Sequence, residues 1–189
     1  MRQGIFVLII ISIFLFNPSA FSEKSDKKEQ LKIGNQAPKF VLKDADNKEY
    51  SLDKIISKDK GDVQVLILLI GDQTTRKSGN KWAKELDKLY KGKKEISIFM
   101  IADLRGLPFY VTESMVKWGT KREKLPVPIL LDWNGKINEL YKTRKGEPNL
   151  YVIDREYKIR YYNFGQFTLE NLKALQVKAQ ENLKEKKTS

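Results

Sequence analysis

Two strand-like runs end on an aspartate, LLIGD at 68–72 and FMIAD at 99–103. If those runs are parallel neighbours, Asp72 and Asp103 stand at one sheet edge, where α/β sheets take their ligands. Two carboxylates there would hold a hard divalent cation or divide acid and base roles between them. The plainer reading is an acid that ends each strand, with Asp103 paired to Arg105. Behind Asp72 come Gln73, Thr74, Thr75, Arg76 and Lys77, at a strand-to-helix junction. A helix N-terminus in that place suits an anion, with Arg76 and Lys77 assisting. The alternative is a solvated loop in which Thr or Asp caps the helix.

The rest of the composition narrows the chemistry. The sequence contains no Cys and no His. A thiol nucleophile, a disulfide, a Ser-His relay and an imidazole base are therefore excluded. Zinc, copper and haem lose their usual ligands, which leaves oxygen-ligated cations, and no cofactor is expected. The formal net charge of +12 comes from dispersed lysines. That surplus would suit an anionic lipid or glycan surface, or an acidic partner. No nucleic-acid recognition motif accompanies it, and nucleic acid is not an expected partner.

The N-terminus reads as a targeting segment. Arg2 precedes the apolar run Ile5–Phe16, and NPSAFS follows with small residues at Ala20 and Ser22. This predicts a signal peptide over 1–22, cleaved near Ser22, and an exported chain, periplasmic or secreted. The alternative is an uncleaved anchor, although the run is short for a membrane span. A charged, disordered lead-in is expected over 23–32, one domain over 33–183 and a basic tail over 184–189.

The elements that must position the candidate residues follow from hydrophobic periodicity. Val63–Ile70 is continuously apolar, as in a strand covered on both faces. A helix is predicted from Ser78 to Lys91, with Trp82, Leu86 and Leu89 on one face and Gly92 as its stop. Ile96–Ala102 is a second buried strand. Upstream, a strand at 40–42, the turn 44–47 and a short return at Tyr50 lead to a helix over 52–57 capped by Ser51. Lys58–Asp62 is a loop. Downstream, Phe109–Trp118 reads as a helical insertion bounded by Pro108 and Gly119. The segment Leu104–Trp118 could cover the site as a lid, form a partner surface, or simply pack at the edge. Val127–Leu131 is a strand, 132–135 a turn and Ile137–Tyr141 a short helix. Leu150–Ile153 and Ile159–Tyr162 flank a hairpin turn. Thr168 caps a last helix whose apolar stripe is Leu169, Leu172, Leu175, Ala179 and Leu183. The tyrosines around 151–162 and Phe164 suit sheet packing better than a sugar platform. The order β-β-α-β-α-β-α-β-α-β-β-α predicts an α/β fold, with a mixed sheet and helices on both faces.

Several segments together resemble the thioredoxin-like fold in its redoxin branch, the exported thiol–disulfide and peroxiredoxin-like proteins. IGNQAPKFVLKDADNKEYSLDKI (33–55) resembles the opening G–x–x–A–P–x–F–x–L–x–D of that branch. VQVLILLIGD resembles its central strand. VPILLDWNGKINELYKTRKGEPNLYVIDREYKIRYY (127–162) resembles the stretch with P–x–L–x–D–x–x–G and, later, I–D–x–x–x–K–I. The resemblance spans about 33–180.

It implies a two-part site. A Cys motif belongs near Gln73–Lys77, where Thr74 matches the first Cys; the helix N-terminus stabilises a thiolate there. The second part is a proline, cis in the family, that matches Pro148. Glu147 before it would face the helix N-terminus and offer its backbone to an extended peptide; the plainer reading is a trans turn after Gly146. Thr74 keeps the position without the chemistry, so oxidoreductase and peroxidase activity are not expected. The leading expectation is a redox-inactive binding protein that engages a polypeptide or partner protein across Asp72–Lys77 and Glu147–Pro148. A non-thiol enzyme or metal protein using Asp72 and Asp103, and an adhesin for anionic glycans, are the alternatives.

Overall fold

The chain is seen in a computed structural model that describes residues 31–57 and 63–184. The expected signal peptide, most of the expected lead-in, the loop 58–62 and the end of the expected basic tail lie outside the described residues. Leu31 and Lys32, expected in the lead-in, join the fold. Leu31 packs against the core, and Lys32 N–H donates to Asn35 Oδ1 at 2.6 Å.

Among the described residues seven strands form one sheet: β1 (Val41–Asp44), β2 (Glu49–Ser51), β3 (Val65–Gly71), β4 (Ile96–Asp103), β5 (Ile129–Asp132), β6 (Asn149–Asp154) and β7 (Ile159–Phe164), in the order β2-β1-β5-β4-β3-β6-β7. β3, β4 and β5 run parallel, and the remaining neighbours are antiparallel. The described residues form five α-helices, α1 (Leu52–Ile55), α2 (Arg76–Tyr90), α3 (Glu113–Glu123), α4 (Lys136–Leu140) and α5 (Leu169–Lys184). This is the expected element order and the expected mixed sheet.

The central strand explains the two layers. Successive side chains of a strand point to opposite faces. Leu66, Leu68 and Ile70 of β3 meet Leu52 and Ile56 around α1, and Ile137 and Tyr141 around α4. Val65, Ile67 and Leu69 meet Trp82, Ala83 and Leu86 of α2, and Leu175 and Ala179 of α5. A strand sandwiched in this way has no polar face, which is why its sequence does not alternate. α4 is pinned by two tyrosines: Tyr141 Oη donates to Pro38 O at 2.8 Å, and Tyr151 Oη to Tyr141 O at 2.6 Å. Burial pushes both phenols well above their usual range. Tyr162 and Phe164 stack at 5.2 Å beside Tyr151, as expected of sheet packing.

Two expectations are corrected. The insertion helix runs from Glu113 to Glu123, so it starts later than Phe109 and passes through Gly119. Thr112 sets its start by accepting from Met115 N–H at 3.3 Å, and Pro108 closes a separate turn with Val111. One half-buried glycine does not stop a helix, because it costs only about 1 kcal/mol. In α5, Leu169 stands outside the stripe at 68% exposure. Phe167 instead packs on Trp82, with ring centroids 5.0 Å apart.

Candidate functional site

β3 and β4 pair in parallel through Gly71 and Ala102, so Asp72 and Asp103 follow as neighbours at one edge. β4 and β5 continue the row, with Asp103 opposite Asp132. On the other side, Ile70 pairs with Asn149, which brings the loop 144–148 beside the end of β3. Sheet register thus brings Asp72, from one part of the expected site, and Glu147, from the other, to one edge. They share an open cleft of about 460 Å³ lined by Asp72, Asp103, Arg105, Arg144, Glu147 and Asn149, among others.

The three aspartates are in different states. Asp72 is the cap of a single 3₁₀ turn, Gln73–Thr75, that leads into α2. Its Oδ1 accepts from Thr74 N–H at 2.9 Å and Thr75 N–H at 3.1 Å, and the Thr74 hydroxyl also donates to it. Thr75 Oγ1 returns the favour by accepting from Asp72 N–H at 2.9 Å. Gly71 permits this: a Cβ there would lie 2.5 Å from Thr75 Oγ1. Burial would raise the Asp72 carboxyl, but the Thr74 hydroxyl and the N–H groups of Thr75, Thr74 and Gly146 hold it below the ordinary range. The N–H groups that would greet an anion are occupied by the chain's own carboxylate.

Asp103 is held by Arg105, with Nε at 3.2 Å and Nη2 at 3.0 Å, by the Arg105 N–H at 3.0 Å, and by Asn138 Nδ2. The Arg105 guanidinium rests on Gly135, where a Cβ would fall 1.6 Å from Nε and where φ is +66°. A cation between Asp72 and Asp103 would have to displace this arginine. Among the described residues no group of three acids is arranged to hold a metal.

Asp132 is 1% exposed and anchors α4 by accepting from Ile137 N–H at 2.9 Å. Burial first, then the Asp103 charge, push its carboxyl upward against the pull of the Ile137, Lys136 and Gly135 N–H groups.

The expected proline geometry is corrected. The described residues contain no cis peptide bond, so Glu147–Pro148 is trans. A trans X–Pro bond is favoured by about 0.5–1 kcal/mol, and only a locking environment overturns it. Here the bond stays trans, and the buried Asn149 side chain brackets the turn before it. Its Oδ1 accepts from Arg144 N–H at 2.7 Å, and its Nδ2 donates to Arg144 O at 3.0 Å and to Glu147 O. The Glu147 carbonyl thus already has a donor, and its carboxylate lies 3.9 Å from Arg144 Nη1.

The other expected residues divide. Gln73 and Thr74 are exposed beside the cleft, and Thr75 is buried in the cap. Arg76 turns away to Glu123 of α3, and Lys77 is exposed on α2. The insertion contributes Arg105 and Gly106 to the cleft wall. α3 itself is tied elsewhere, through Lys117 to Asn47 at 2.6 Å and through Glu123 to Arg76 and Asn80.

The sequence profile of the AhpC/TSA family matches residues 33–162, more than half of the chain. The chain belongs to the AhpC/TSA family. Solved structures of thioredoxin-like proteins agree on the fold. A putative thiol:disulfide interchange protein DsbE from Chlorobium tepidum is 19% identical with a TM-score of 0.59, over 82% of this chain and 99% of that one. The C-terminal domain of a putative thiol–disulfide oxidoreductase from Bacteroides thetaiotaomicron is 21% identical with a TM-score of 0.59, over 79% and 97%. The exposed lipoprotein thioredoxin Etrx1 of Streptococcus pneumoniae is 21% identical with a TM-score of 0.56, over 76% and 99%. No curated protein is detectably similar in sequence.

Arg144, Lys145, Asn138 and Thr143 of this AhpC/TSA chain escaped sequence reasoning as site residues. The signal was the polar run NELYKTRKGEPN, which connects α4 to β6 and so had to cross the sheet edge beside β3.

Proposed function

We propose that this AhpC/TSA chain is an exported, redox-inactive redoxin that binds an extended polypeptide or partner protein in the cleft at the ends of β3 and β4. The observation that carries the reading is the convergence of Asp72 and the 144–149 loop on one open cleft in a chain without cysteine. Both signs of charge line that cleft, Arg105, Arg144 and Lys145 against Asp72, Asp103 and Glu147. Such a surface suits the alternating dipoles and mixed side chains of a peptide better than a single small anion. The capped 3₁₀ turn before α2 supports the same reading, because its Thr74 and Thr75 N–H groups are already bonded to Asp72. Arg105 on Asp103 makes the two-carboxylate cation site the weaker reading.

The test is site-specific photocrosslinking with an unfolded, carboxymethylated polypeptide as the probe. A crosslinker at exposed Gln73 or Lys145 is expected to capture it, and one at Lys88, on the far end of α2, is not. Arg144→Glu should weaken capture from Gln73. Equal capture from all three positions would refute the cleft, and reduction of insulin or peroxide by the pure chain would refute redox inactivity.

A further inference from the structure

α3 buries none of its residues. Met115, Trp118 and Arg122 share its outward face at i, i+3 and i+7, with Met115 53% and Trp118 63% exposed. The turn before it exposes Phe109 completely and Tyr110 by 65%, as an edge-to-face pair with centroids 5.7 Å apart. The Arg122 guanidinium lies 5.1 Å from the Trp118 ring. Single exposed apolar residues are ordinary, but four large ones on one insertion are not. None of the four lines the cleft at the ends of β3 and β4.

Charge narrows the occupant. The two acids of α3 are already engaged, Glu113 by Lys117 and Glu123 by Arg76. Arg122 and Lys124 follow at its C-terminal end, in a chain of net charge +12. Projecting aromatics beside uncompensated basic residues fit a flat, anionic, half-apolar layer. Tyr and Trp favour the level where hydrocarbon meets headgroups, and Arg and Lys are drawn to anionic lipid. No described helix is long and apolar enough to cross a membrane, so contact through this patch would be interfacial.

We infer that the 109–124 insertion is an interfacial docking surface for a bilayer of anionic lipid. Phe109, Tyr110, Met115 and Trp118 enter the headgroup region, and Arg122 and Lys124 pair with lipid phosphates. The surface is independent of the peptide cleft.

The test uses the full chain with phosphatidylcholine vesicles, with and without phosphatidylglycerol. Vesicles with phosphatidylglycerol brominated on the acyl chains are expected to quench Trp118, read as the fluorescence difference from Trp118→Phe. Each basic residue near such a surface is worth on the order of fivefold in binding. The exposed double variant Arg122→Gln/Lys124→Gln should therefore lose roughly twenty-fivefold. Phe109→Ser/Tyr110→Ser should lose affinity for the same vesicles with its circular dichroism unchanged. If the chain sediments with vesicles while Trp118 stays unquenched, the N-terminal apolar run carries the binding and the inference fails. It fails equally if neutral and anionic vesicles bind alike. A concentration-dependent dimer abolished by the 109/110 variant would assign the patch to a second copy and overturn the lipid.

Discussion

At the scale of single residues, the junction after β3 is closed by its own cap. In a redoxin the junction after the central strand is expected to stabilise a thiolate; here Asp72 occupies the same N–H groups. Thr74→Cys therefore makes a clean probe in a chain with no other thiol. With the Asp72 carboxylate bonded at that position, the new thiol should titrate at or above the ordinary value of about 8.5. Adding Asp72→Ala frees the N–H groups and removes the charge, and the thiol should then fall below it. The pH dependence of alkylation reads both values, and a depressed pKa in Thr74→Cys alone would contradict the account. Asp132 gives a second, opposite case. Its carboxyl is raised on folding, chiefly by burial, so the native state takes up its proton more readily than the unfolded chain. That contribution is complete below the unfolded value and is lost as pH rises through the raised folded value. Asp132→Asn keeps an acceptor for Ile137 N–H and removes the titration. Denaturant midpoints of the variant should match or exceed those of the parent at neutral pH, with the difference shrinking on acidification. The part of the site legible in the sequence was Asp72 and Asp103, because each ends an apolar run. The trans Pro148 and the Asn149 bracket were not, because they depend on side-chain contacts between loop residues that no periodicity encodes.

At the scale of elements, two neighbouring helices are attached by different physics. α2 sinks Trp82, Ala83, Leu86 and Tyr90 into one layer of the core, and burial pushes the Tyr90 phenol up to about 12. α3 buries nothing and is held by polar links at Asn47, Asp46, Arg76 and Asn80. Leu86→Ala should cost about 2–5 kcal/mol, the usual toll of a core truncation. Met115→Ala should stay within about 0.5 kcal/mol, as surface changes do. Urea titrations followed by circular dichroism compare them directly, and a core-sized loss at Met115 would mean that α3 is packed rather than tethered. The same contrast explains what could be read in advance. β3 and α2 declared themselves because burial imposed a pattern: an unbroken apolar run in one, a repeat of 3.6 in the other. α3 was misplaced by several residues because no core contact disciplines its sequence. Its large apolar residues Phe109, Tyr110, Met115 and Trp118 are exposed, so their spacing follows no buried face. Leu169 misled for a similar reason, sitting at the first turn of α5 before the helix reaches the sheet.

At the scale of the molecule, the two apolar layers share a single strand, and this dictates how the protein should unfold. Adjacent residues of β3 serve opposite layers: Leu68 lies with α1 and α4, Leu69 with α2 and α5. Neither layer can melt without stripping one face of the strand that also floors the other. β3 is also hydrogen-bonded on both sides, to β4 through seven residue pairs and to β6 through six, so it cannot leave as an edge strand does. The layers should therefore behave as one cooperative unit. Leu68→Ala and Leu69→Ala are each expected to lower stability by about 2–5 kcal/mol. Two probes distinguish cooperative loss from layered loss. Among the three tryptophans only Trp82 is fully buried, and it lies in the α2 and α5 layer, so the shift in its fluorescence reports that layer; circular dichroism reports the whole sheet. Under a single transition, the Leu68→Ala variant, altered in the layer opposite Trp82, moves the Trp82 signal and the sheet signal to the same lower denaturant concentration. A Trp82 transition that stays at the parent midpoint while the sheet signal moves would show two separable cores, and the central strand would then join the layers without coupling them.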